Sequence, residues 1–268
     1  GNADRSQNKR DHVKAPGEYA KIMLPELTFP YLIPGQEVLL DDGKIHLKIV
    51  EKAENVAENG GENTQGKRYF AKVLWGGLLK SRKSAALPGA KIYPPTLTNS
   101  DLANIKIAKE MGVTGVMQPF VRDHSDLECV KEALREAGAE EIRLFAKIEN
   151  MDGVRKLEKL LPAADEIVIA RGDLGNAVHL WDLPGVQRQI SEKCRAAGKP
   201  FMVVTQMLAS MERSPVPTRA EVNDIFHAVM DGAASIMVTG ETAVGDYPVE
   251  VIRYMVNTVR SAEKEENR

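Results

Sequence analysis

In the stretch RLFAKIENMDGV, a lysine (Lys147) and a glutamate (Glu149) stand two residues apart within an apolar run. Residues i and i+2 of a β-strand point the same way. Two charges turned toward a core are costly unless they are paired or hold a ligand. Downstream, IARGDLGN brings Asp173 to a second strand end and VVTQML brings Thr205 to a third. Glu149 and Asp173, ending successive strands, would repel each other unless a cation lay between them. A hard ion such as Mg2+ or Mn2+ suits one or two carboxylates, with substrate filling its other positions. The same residues also permit ion pairs alone, Glu149 with Lys147 or Arg171, and Asp173 as a cap on the next helix. Lys147 is a candidate electrophile for charge developing on a transferring phosphoryl group or an enolate oxygen. Its alternative is a lysine lying along apolar surface and pairing with Glu149. Gly172 lets a backbone amide approach an anion beside a helix start, although a G-D-L-G loop is also an ordinary turn. Thr205 can donate or relay a proton, or bond only the backbone.

Such residues act together only if the chain brings them to one rim. From Asn99 onward, strand and helix patterns alternate. VTGVMQPFV, IRLFAKIEN, DEIVIARGD, PFMVVTQM and ASIMVTGET read as strands. NSDLANIKIAKEMG, SDLECVKEALREAG, MDGVRKLEKLLPAA, LPGVQRQISEKCRAAG, TRAEVNDIFHAVMDG and PVEVIRYMVNTVRSAEKEE read as helices. Ser125 is the expected N-cap of the second helix and Gly138 its C-terminal stop, and Thr218 with Glu221 fits a capping box. The units recur at roughly thirty-residue spacing, the period of a (β/α) barrel. The expected fold class is therefore α/β, of the (β/α)8 TIM-barrel type but incomplete, with five βα units. An open doubly wound sheet gives the same one-dimensional pattern. In either, functional residues collect at the carboxyl ends of the strands.

Residues 96–268 form the expected barrel portion. Residues 19–95 read as a partial β lid, in which EVLLDDGKIHLKIVEK alternates around Asp41-Asp42-Gly43, a type I′ hairpin signal. AENVAENGGENTQGKR reads as a polar loop, and the Pro-rich LPGAKIYPPTLT as a connection between domains. Residues 1–18 read as a flexible tail.

The formal net charge of −2 gives no global field for nucleic acid or an anionic membrane. Two cysteines, Cys129 and Cys194, form no disulfide framework or zinc spacing, so a reducing cytoplasm is the expected compartment. The apolar runs are short of a membrane span, and the polar start GNADRSQNKRDHVK does not look like a signal peptide. The five histidines lack ligand spacing, and no Walker A, G-x-S-x-G or H-E-x-x-H motif occurs.

The strand-end motifs resemble those of the pyruvate kinase family. KIENMDGVRKLEKLLPAADEIVIARGDLG is similar to its metal-and-lysine signature. AAGKPFMVVTQMLASM, SPVPTRAEVNDIFHAVMDGA and MVTGETAVGDYPVE follow in the family's order. LLDDGKIHLKIVE and GGLLKSRKSAALPG resemble the second half of its small lid domain, so the likeness covers most of residues 35–265. The resemblance implies that Glu149 and Asp173 hold the divalent cation, Mg2+ or Mn2+, and that Lys147 stabilises the phosphoryl-transfer transition state. It implies that Gly172, Asp173 and Thr205 meet phosphoenolpyruvate, with Thr205 near the proton delivered to the enolate. Lys83, in SRKS, would approach the phosphates of ADP or ATP. The implied reaction moves a phosphoryl group from phosphoenolpyruvate to ADP, giving pyruvate and ATP.

The chain also departs from the family pattern. Three barrel strands carrying a phosphate-binding arginine and the K+ site find no match in the first 36 residues, nor does the family's C-terminal domain at the other end. Thr239 stands where the family has serine, and NAVHLWDLP replaces its acidic continuation. Five strands do not close a barrel, and open edges invite pairing with another chain, a second copy in a homo-oligomer or a complementing chain. Two other functions fit the residues: a metal-dependent lyase or aldolase of pyruvate-like enolates, and a non-catalytic binding partner that keeps the fold.

Overall fold

The computed structural model describes residues 20–41, 43–53, 68–81, 83–90 and 92–266. The expected tail over 1–18 and most of the polar loop after Lys52 lie outside the described residues, as does Asp42.

Four strands form an antiparallel sheet: β1 (Glu37–Leu40), β2 (Ile45–Lys52), β3 (Tyr69–Trp75) and β4 (Ala85–Ala86), in the order β3-β2-β1-β4. Val38, Leu40, Ile45, Leu47 and Ile49 share a small core with Leu32 and Leu87. The hairpin is present, but Leu40 pairs with Ile45. Its loop is thus longer than the two residues of a type I′ turn, with positive φ at Asp41 (50°) and Gly43 (82°).

The second sheet is parallel: β5 (Gly115–Gln118), β6 (Arg143–Ile148), β7 (Glu166–Ala170), β8 (Phe201–Val204) and β9 (Ser235–Met237), in sequential order. Among the described residues β5 and β9 each have one neighbour, so the five expected strands form an open parallel array. Helices α1 (Asn99–Ala108), α2 (His124–Glu136), α3 (Met151–Arg155), α4 (Leu157–Leu160), α5 (Arg171–Ala177), α6 (Leu183–Ala196), α7 (Arg219–Met230), α8 (Gly240–Ala243) and α9 (Pro248–Glu266) connect and follow the strands. No helix among the described residues is long and apolar enough to cross a membrane.

The strand faces explain how Lys147 and Glu149 sit within an apolar run. Leu144, Ala146 and Ile148 of β6 join Ile167, Ile169 and Val203 in the main core, which also takes in Leu127, Leu157, Ile190 and Ile225 from the helices. Phe145 packs instead with Val168, Ala170 and Val204 on the opposite face. Lys147 shares that second face by alternation. Each fully buried Leu or Ile of the main core contributes about 1.5–3 kcal/mol.

Three local expectations are corrected. The N-cap of α2 is Asp123, not Ser125, because the Asp123 carboxylate accepts from Ser125 N at 3.0 Å and from Ser125 Oγ at 2.6 Å. The helix expected over MDGVRKLEKLLPAA is broken at Lys156 into α3 and α4. Arg171-Gly172-Asp173 is not a loop but the first turn of α5, which begins directly after β7 with Ala170 as a cap lacking a side-chain bond. The capping box of Thr218 and Glu221 on α7 is present, and a second joins Thr98 and Asp101 on α1.

Candidate active site

Register brings three strand ends to one level. Ile148 lies opposite Ile169, and Ala170 opposite Val204. Glu149, Arg171 and Thr205 therefore leave the sheet at the same carboxyl rim.

Glu149 is 3% exposed. Its Oε1 lies 2.8 Å from Lys147 Nζ, and its Oε2 accepts from Phe120 N at 2.6 Å. The next residue, Asn150, donates from Nδ2 to the Val121 carbonyl and accepts from Gly153 N, capping α3. A Cβ on Gly153 would meet the Val121 carbonyl oxygen at 2.6 Å, so only glycine lets α3 approach this loop. Phe120 itself has φ 52°. The end of β6 thus fixes the segment after β5 by Glu149 and Asn150 together. Lys147 is a quarter exposed at its side chain, so one end of this ion pair reaches solvent. Of the two partners open to Glu149, Lys147 is in place and Arg171 is not.

Arg171 turns the other way. Its Nη1 donates to both carboxylate oxygens of Asp224 on α7, at 2.9 and 2.7 Å. Its Nε and Nη2 donate to the Thr205 carbonyl at 3.2 and 2.7 Å. Thr205 and Gln206 both have positive φ, 78° and 56°. For a β-branched residue that conformation is an outlier, at a cost of roughly 1–3 kcal/mol that the surroundings must offset. From the other side, a Cβ on Gly172 would come 3.0 Å from Thr205 Cγ2. Gly172 and Thr205 are therefore in contact across the rim, and Asp173 follows in the first turn of α5 rather than capping it.

Lys83 lies just before β4, with Nζ 2.9 Å from Asp41 Oδ1. The Lys83 hydrogen bond leads the influences that hold the Asp41 carboxyl below its usual range. A Cβ on Gly43 would lie 3.7 Å from Asn176 Oδ1 on α5, so the β1–β2 hairpin borders the helix that carries Gly172 and Asp173. After β9, the buried Glu241 accepts from Leu208 N and Thr239 N and ties the turns after β8 and β9 together.

Among the described residues no three His, Cys, Asp or Glu side chains cluster as a metal cage. Glu149 and Asp173 offer hard oxygen donors at adjacent strand ends, a donor set that fits a magnesium-type ion completing its shell with water and substrate. Sequence reasoning missed the Arg171–Asp224 clamp and the Phe120 amide. The first joins residues far apart in the chain, and the second is a backbone group with no side-chain signature.

A family model described as pyruvate kinase, barrel domain, matches residues 9–252. The match begins well upstream of the likeness read from motifs. The chain is 38% identical over 230 residues to a pyruvate kinase of Bacillus licheniformis, covering 86% of this chain and 38% of the relative. It is 40% identical over 233 residues to one of Geobacillus stearothermophilus, covering 85% and 38%. It is 36% identical over 234 residues to one of Clostridium acetobutylicum, covering 87% and 47%. The chain thus spans less than half the length of these curated relatives. With the family model covering most of the chain and an α/β architecture whose parallel strands carry the matching motifs in order, the chain belongs to the pyruvate kinase family.

Proposed function

We propose that this chain carries the metal- and phosphoenolpyruvate-binding part of a pyruvate-kinase-type site, which transfers a phosphoryl group to ADP and protonates the enolate to pyruvate. The observation that carries this reading is the Lys147–Glu149 pair, on one face at the carboxyl end of β6 with its lysine end open to solvent. Glu149 and Asp173 would hold Mg2+ or Mn2+, which when bound neutralises charge on the transferring phosphoryl group. Lys147 meets the same group as a cation that needs no reorganisation. Gly172 admits the anionic substrate close to backbone, and the Thr205 hydroxyl stands near the carbon to be protonated. Lys83 reaches the nucleotide phosphates from the lid, exchanging Asp41 for them.

Calorimetric titration of the chain with Mn2+, phosphoenolpyruvate and ADP tests the reading. Mn2+ should bind, and phosphoenolpyruvate should bind only with it. Glu149→Ala should abolish the metal site, whereas Lys147→Met should keep Mn2+ affinity within about threefold and lose phosphoenolpyruvate. In a lactate-dehydrogenase-coupled assay the isolated chain should turn over weakly or not at all. Unchanged Mn2+ affinity in Glu149→Ala would defeat the proposal, and full turnover by the purified monomer would defeat the half-site expectation. Binding of enolate analogues without ADP would favour a lyase, and binding of none of these ligands a non-catalytic partner.

A further inference from the structure

We infer that Arg171 is a positioning residue for Thr205, and that Asp224 of α7 is the anchor that lets it act. The inference rests on the proposed phosphotransferase reading, in which Thr205 faces the enolate. Thr205 holds a positive φ, as does Gln206 after it. Neither residue is a glycine, so the backbone alone does not favour this turn. The groups that hold it come from two sides. Gly172 abuts the Thr205 methyl. The Arg171 guanidinium grips the Thr205 carbonyl with two donors, and Nη2 also reaches Met207 Sδ at 2.7 Å. The remaining fork nitrogen, Nη1, binds both oxygens of Asp224.

The Arg171 side chain is only 13% exposed, and Asp224 compensates its charge. A planar fork spans the carbonyl and the carboxylate at once, which the single point charge of a lysine cannot do. Released from that grip, Thr205 is free to relax toward negative φ, turning its hydroxyl away from Gly172. Glu149 bonds Lys147 and the Phe120 amide, whereas the clamp grips the Thr205 carbonyl, so cation binding and proton delivery should separate in the variants.

The test compares the unmodified chain with Arg171→Lys and with Asp224→Asn. Asp224→Asn lies on another helix and preserves shape, so it remains informative if Arg171→Lys does not fold. The first readout is the nuclear Overhauser contact between the Thr205 methyl and the Gly172 α-protons, in a threonine-methyl-labelled sample. The second is Mn2+ affinity. The third is Mg2+-dependent exchange of pyruvate methyl protons with D2O. The expected result is loss of the contact and a fall in exchange of about tenfold or more, with Mn2+ affinity within about twofold. Persistence of the Thr205–Gly172 contact in both variants overturns the inference whatever the exchange rates are. No exchange by the unmodified chain counts against the phosphotransferase reading instead, and the methyl contact still decides the positioning role.

Discussion

Replacing Asp126 by asparagine tests how the connection between the two sheets is held. Asp126 opens α2 and is 3% exposed. It accepts from Thr96 Oγ1 at 2.6 Å, Arg122 Nη2 at 2.5 Å, Arg122 Nε at 3.0 Å and Arg122 N at 2.8 Å. Arg122 also donates to the Pro94 carbonyl at 3.1 Å, so the cluster clasps the Pro-rich connection. Burial alone would push the Asp126 carboxyl up, but the hydrogen bonds from Arg122 and Thr96 outweigh it and hold it at about 2 against an ordinary 3.8. That displacement corresponds to ~2.5 kcal/mol of stability. Stranding one member of a buried pair costs ~3–5 kcal/mol. The Arg122 side chain is 22% exposed, so water recovers part of that. Asp126→Asn should therefore lose ~2–4 kcal/mol at neutral pH, a fall in Tm of about 5–12 °C for a chain of this size. The pKa is depressed in the fold, so the stabilisation is fully present well above the unfolded value and is lost as pH falls toward the folded one. About half should be gone by about pH 3, narrowing the gap between the two proteins by ~1 kcal/mol. Urea titration followed by far-ultraviolet circular dichroism at both pH values measures this. A gap independent of pH, or one under about 1 kcal/mol at neutrality, would refute the argument.

Two further expectations concern the rim and the core. Gly172→Ala puts a Cβ 3.0 Å from Thr205 Cγ2, and the pinned threonine has little room to give. Phosphoenolpyruvate affinity by calorimetry should fall about tenfold with Mn2+ affinity kept, and an unchanged affinity would show that the contact relaxes freely. Cys129 is exposed on α2 whereas Cys194 is buried on α6, its thiol pushed up to about 12 by burial against a weaker pull from Lys199. A disulfide thiol reagent should titrate Cys129 promptly in the native chain and Cys194 only in denaturant, and prompt reaction of both would contradict the packing of α6.

Local signals carried most of the fold. The alternation of short apolar runs with capped amphipathic segments located all five parallel strands, because each strand and cap is written within about ten residues. The rim followed from the same pattern, since strand ends are where parallel sheets expose side chains. Asp123 displaced Ser125 as the cap because both bond the same turn and the carboxylate accepts two hydrogens from Ser125. Glycine next to aspartate is a turn signal in the sequence at the start of α5, whereas here the chain enters a helix straight from β7. The Arg171 clamp joins Thr205 and Asp224 at separations of 34 and 53 residues. No local periodicity encodes such a bond. Lys83 came from family likeness alone, and its Asp41 partner depends on how β1 and β4 pair.

The open parallel sheet grades its own resistance to opening. All five residues of β7 are buried, while β9 has three half-buried residues and, among the described residues, one neighbour. Parallel strands lack hairpin partners, so an edge strand can detach with its helix while the centre persists. Lys147, Glu149 and Gly172 stand on the durable middle, and Thr205 stands on the side facing the weaker edge. A ligand that bridges Gly172 and Thr205 therefore binds only molecules in which β8 is seated, and by mass action it withdraws population from the partly opened ones. At this rim, occupancy and cooperativity of the sheet are two readings of one equilibrium.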